Sequence, residues 1–155
     1  MTGGYPRFIS RPSTYSVTSV ETLTPPVVRR PRITLWLLRT VLTVHVVAVL
    51  SQPVWAGMFL TGDLDAITVH GTIGSILAAW DLLVIGAAVA YAVAARARLW
   101  VPLAAVALFL LVGFQIGFGY ARELQWHVPL GVAIVTLSLL SAFLVWTPAA
   151  ARGRS

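Results

Sequence analysis

Few side chains in this 155-residue chain can do chemistry: three histidines, His45, His70 and His127, and five carboxylates, Glu21, Asp63, Asp65, Asp81 and Glu123. Cysteine is absent, which excludes disulfides, thiolate zinc sites, iron–sulfur clusters and c-type haem attachment. Two of the histidines open the same short motif. His70-Gly71-Thr72-Ile73-Gly74 and His127-Val128-Pro129-Leu130-Gly131 both read H-x-x-x-G, and each follows a glutamine–glycine segment, at 52–57 and 115–119. On a helix, positions i and i+4 share a face one turn apart. A histidine there offers a neutral imidazole nitrogen to a metal. A glycine one turn below removes the side chain that would collide with a large flat ligand. Two such faces opposite each other make a slot with an imidazole at each wall, which suits a b-type haem with two axial ligands. Helical bundles commonly build cofactor sites from facing helices in this way. Headgroup-zone histidines and packing glycines would give the same letters with no ligand at all.

Two other polar residues lie inside apolar runs. Counting about 1.5 Å per residue from the flanking arginines puts His45 and Asp81 at similar depth on adjacent helices. Ionisable groups near a bilayer centre usually pair and mark function, so the two are expected to hydrogen-bond, either as a packing device or as part of a site. Gly113 and Gly117 form a small-x-x-x-small pattern that predicts close packing against a neighbouring helix.

The elements that must position these residues follow from composition. Hydrophobic residues make up 58% of the chain and charged residues 10%, against about 25% charged in soluble domains. Residues 1–32 are rich in Ser, Thr, Pro and Arg and read as a disordered cytoplasmic tail without a signal peptide. Four apolar runs follow, near 33–60, 67–95, 99–120 and 124–146, each reaching the roughly 20 residues needed to span a bilayer. The expected fold is all-α: a transmembrane four-helix up-down-up-down bundle over 33–147, with a cytoplasmic C-terminal tail at 148–155. All eleven basic residues are arginine, for a net charge of +6. All but Arg122 gather in the N-terminal tail, at Arg39, in the second loop and at the C-terminus, so the positive-inside rule places both termini in the cytoplasm of a cell-membrane protein. Arginines at the ends of apolar runs suit a lipid surface rather than nucleic acid. Aromatic residues mark the boundaries, with Trp36, Tyr91, Trp100 and Trp146 inside and Trp55, Tyr120 and Trp126 outside.

With histidine at the outer start of helices two and four, residues 36–147 resemble a family of small four-span bacterial membrane proteins. They also resemble one four-helix half of haem A synthase, whose halves bring paired histidines from their second and fourth helices to haem. The resemblance implies His70 and His127 as axial ligands of a haem b. This chain is one half alone and has no acidic residue near the outer end of its first helix, so the hydroxylation chemistry of that family does not carry over.

The leading expectation is a membrane haem protein in electron transfer, with a quinone or another membrane redox protein as partner. Its site residues would be His70, His127, Gly74 and Gly131, with Arg122, the only basic residue on the outer side, pairing a haem propionate or a lipid headgroup. One alternative is a non-redox accessory or structural subunit. Another is an outer-face divalent-metal site in which Asp63, Asp65 or Glu123 joins the two histidines. No hydrolase triad, phosphate loop or nucleotide fingerprint is legible.

Overall fold

The computed structural model describes residues 1–4, 33–95 and 99–151. Residues 5–32 of the tail expected at 1–32, the loop arginines Arg96 and Arg98, and the last four residues lie outside the described residues. Four long helices form the domain: α1 (Ile33–Leu60), α2 (Leu64–Ala95), α3 (Trp100–Tyr120) and α4 (Leu124–Trp146), followed by one turn, α5 (Pro148–Ala151). All four long helices are apolar and long enough to cross a membrane, and the chain is a multi-pass membrane protein on that ground. Many large apolar side chains face outward, among them Val47, Leu82, Val93, Leu103 and Phe143. In water that surface would be a liability; in hydrocarbon it is the solvated face.

Each helix packs on its sequence neighbours and α1 closes the ring against α4, leaving α2 and α4 as one diagonal pair. The two hairpins repeat each other in register. The buried residues of α3, Val101, Ala105, Leu108 and Val112, match Leu38, Leu42, His45 and Val49 of α1 at a constant offset. Those of α4, Ile134, Ser138, Ser141 and Val145, match Leu77, Asp81, Val84 and Ala88 of α2. The bundle is therefore a pseudo-twofold pair of helical hairpins, with one inward stripe per helix.

The loops repeat as well. Between α1 and α2, Gly62 N–H bonds Phe59 O and Asp63 N–H bonds Met58 O; between α3 and α4, Arg122 N–H bonds Gly119 O and Glu123 N–H bonds Phe118 O. Both are Schellman closures, which need a left-handed residue after the helix. Gly62 adopts it at φ 107°, and Arg122 adopts it at φ 58°. Asp63 Oδ1 then accepts from the N–H groups of Asp65 and Ala66, capping α2. That cap starts α2 at Leu64, three residues before the start expected from hydropathy, which does not register side-chain caps.

At the opposite end, Arg39 is buried between Trp36 and Trp146, its guanidinium carbon 5.0 and 4.9 Å from their ring centres. Its Nε donates to Val145 O at 2.9 Å. A cation between two aromatic faces is strongest where water is excluded, so this clasp ties α1 to the end of α4. Tyr91 Oη donates to Ala150 O at 2.7 Å, which holds α5, part of the expected C-terminal tail, onto α2. Gly113 and Gly117 are exposed, and a Cβ added to either would meet nothing within 4 Å. The expected packing of this stripe against a helix of the same chain is wrong, because both glycines lie off the inward stripe of α3.

Candidate functional site

Each hairpin holds its own histidine in the same way. His70 Nδ1 lies 3.2 Å from Gln52 O, and His127 Nδ1 lies 2.9 Å from Gln115 O. A carbonyl only accepts, so both Nδ1 atoms carry a proton, and Nε2 is the atom of each ring left to offer a lone pair to a metal. Backbone anchoring of one ring nitrogen is the usual support of a metal-binding histidine. The sequence separations differ, 18 residues in the first hairpin and 12 in the second. The extra six are three residues on each helix, so the first hairpin rises about one turn higher beyond an identical site.

The two rings meet across the α2–α4 diagonal with centres 6.0 Å apart and planes inclined by 56°. Together with the glutamines they form one layer, with Gln52, His70, Gln115 and His127 each coming from a different helix. Three polar atoms buried in this region have no partner among the described residues: Gln52 Nε2, Trp55 Nε1 and Gln115 Oε1. Buried polar atoms are rarely left so, and each points to a missing partner.

The glycines do not form the two bare walls that the repeated motif predicts. Gly74 faces open space, but a Cβ on Gly131 would lie 3.0 Å from Gln115 Nε2. Gly131 therefore accommodates a glutamine amide of its own hairpin, and of the two motif glycines only Gly74 borders open space. The glycine that makes room for an imidazole is Gly119, where a Cβ would sit 3.0 Å from His127 Cε1. In the sequence it is visible only as part of the glutamine–glycine segment.

Arg122 is exposed on the loop between α3 and α4, five residues before His127. The carboxylates of the alternative metal site are engaged locally: Asp63 caps α2, and Glu123 Oε2 accepts from Gln125 Nε2 at 3.2 Å. Among the described residues no three His, Cys, Asp or Glu side chains converge as a metal-ligand group. The expected grouping of His70 and His127 with Asp63, Asp65 or Glu123 does not form.

One layer toward the bundle centre, His45 Nδ1 lies 2.9 Å from Asp81 Oδ1, both side chains fully buried. The atoms sit at ion-pair distance without hydrogen-bond alignment, and Asp81 Oδ2 has no partner among the described residues. On the other side of the ring, His45 Nε2 lies 3.0 Å from Ser138 Oγ, whose hydroxyl donates to Ile134 O at 2.7 Å. With the serine hydroxyl turned to the carbonyl, His45 Nε2 is the donor to Oγ. The sequence reading does not single out Ser138 as a partner, yet it follows His127 by eleven residues, as Asp81 follows His70. The order Asp–His–Ser is that of a hydrolase triad. Here Ser138 is 1% exposed and its hydroxyl bonds its own helix, so no substrate carbonyl reaches it. Leu108, the α3 counterpart of His45, completes the layer.

No family model, curated protein or solved structure matches this chain.

Proposed function

We propose that this chain is a b-type haem protein of the cell membrane, working in electron transfer, with both termini in the cytoplasm. The carrying observation is the His70–His127 pair, two imidazoles pinned through Nδ1 with ring centres 6.0 Å apart. Two imidazoles on opposite sides of one metal put their ring centres about 6 Å apart, from metal–nitrogen bonds of about 2 Å and a ring radius of about 1.1 Å. The absence of a third converging ligand among the described residues favours haem over a bare cation. A divalent ion asks the protein for about four ligands, whereas a porphyrin supplies four nitrogens and asks for two. The partnerless atoms of Gln52, Trp55 and Gln115 fit a polar-edged ligand in the same layer.

His70 and His127 would hold the iron, and Gly74 would leave room for the macrocycle. Arg122 would meet a propionate; an arginine in a left-handed position that the first loop gives to glycine breaks a local backbone preference, and such breaches gather at functional sites. The group supplies one-electron chemistry. Held by both His70 and His127, such a group would have no open site for oxygen, so a quinone or membrane redox protein is the expected partner.

The test is an absorbance spectrum of the purified protein, oxidised and dithionite-reduced. A Soret band with reduced b-type bands, lost in His70→Ala and in His127→Ala, is the expected result. A wild-type protein without Soret absorbance after haem supplementation overturns the reading and leaves an accessory subunit.

A further inference from the structure

Two polar layers stack along the bundle. The first holds Gln52, His70, Gln115 and His127, and the second holds His45, Asp81, Leu108 and Ser138. They are seven residues apart along α1 and α3 and eleven along α2 and α4, about 10–16 Å at the helical rise. The second layer is where the two hairpins differ most in polarity. Where the pseudo-symmetry gives α3 a leucine, α1 carries His45, and where it gives α4 a serine, α2 carries Asp81.

The hydrogen-bond chain limits what this layer holds. His45 Nε2 keeps its proton for Ser138 Oγ. His45 Nδ1 and Asp81 Oδ1 stand 2.9 Å apart without hydrogen-bond alignment, and one proton on either atom gives imidazolium with carboxylate or imidazole with carboxylic acid. Both forms are neutral overall, as a fully buried pair requires. A second proton has a place to go, because Asp81 Oδ2 is a buried acceptor with no partner among the described residues. Among the described residues no other charge lies within the layer. On α1 the nearest charged residue is Arg39, held between Trp36 and Trp146 at one end of the bundle. On α2 the titratable groups are Asp65, His70 and Tyr91, near the ends of the helix; α3 has only Tyr120, and α4 only His127.

We propose that the His45–Asp81–Ser138 layer is a redox-linked proton site. This rests on the haem reading of the first layer. When a donor such as a quinol delivers one electron to the first layer, one negative charge is added to a low-dielectric interior. The second layer takes one proton from water, becoming imidazolium with carboxylic acid and moving from neutral to +1. Reoxidation releases that proton.

The experiment is potentiometric titration of the haem-loaded protein over a series of pH values, with redox difference infrared spectra on the same samples. In the wild type the midpoint potential should fall as pH rises through a window, and a protonated-carboxyl band should appear on reduction. Asp81→Asn and the double variant His45→Leu/Asp81→Leu, whose apolar layer packs without a lone charge, should both lose that carboxyl band and flatten the pH dependence. A wild-type pH dependence retained in both variants overturns the proposal, as does a wild-type spectrum without the carboxyl band. Failure of the haem reading looks different: no haem spectrum in any variant, which removes the proposal with its premise.

Discussion

Gly119 lies directly against the imidazole of His127, so close that a Cβ on Gly119 would stand 3.0 Å from Cε1 and 3.3 Å from Nδ1. The ring sits where it does because α3 has no side chain there. Gly119→Val should therefore displace the His127 ring and break its bond to Gln115 O, while the bundle, whose core lies deeper, stays folded. Loss of the reduced haem spectrum with an unchanged helical circular dichroism signal is the expected outcome; a wild-type spectrum would show that this contact does not position the ligand.

Gly74 and Gly131 should respond differently although they occupy matching places in the repeat. Gly74 faces open space, so Gly74→Leu should leave thermal stability in detergent unchanged and abolish haem binding by filling the opening. Gly131→Leu meets the Gln115 amide and should destabilise the ligand-free protein by about 1–3 kcal/mol, as overpacking does. Equal losses of stability in the two variants would contradict the one-sided opening.

Arg122 carries a local backbone penalty for its left-handed φ of 58°, about 1–2 kcal/mol for a residue with a Cβ. Arg122→Gly should raise stability by about 1 kcal/mol and weaken haem retention. A stabilised variant with wild-type haem affinity would remove the propionate role and leave a lipid-headgroup contact.

The buried pair should behave as a unit. Asp81→Ala leaves His45 alone in the core and should cost about 3–5 kcal/mol, whereas the double variant His45→Ala/Asp81→Ala should cost less than the two single losses together. Denaturation of the four proteins of the cycle measures this. Additive losses would mean that the 2.9 Å contact carries no coupling.

Orientation follows from the arginines. A reporter fused after Ser155 should behave as cytoplasmic and one placed in the loop at 61–63 as external; the opposite result in both fusions would invert the assignment.

Composition and helical spacing were enough to dictate the four apolar helices, their antiparallel order and the meeting of His45 with Asp81. Span length and hydropathy are properties of composition, and depth counted from flanking charges is a property of helical rise. The matching histidines were legible too, since His70 and His127 start the same motif. Which glycine serves which group was settled by packing between helices. Gly131 and Gly119 look alike in sequence, and the side chains that fill the space beside them, Gln115 and His127, arrive from the other helix of the hairpin. Ser138 became a partner of His45 because α1 and α4 close the ring, a contact that no local spacing encodes. Arg39 was legible as a boundary charge, but its place between Trp36 and Trp146 needed the ends of α1 and α4 side by side. Helix propensity and hydropathy are read along one chain segment. The shape of a space between helices belongs to none of them singly, and that space sets which side of the histidine pair is open.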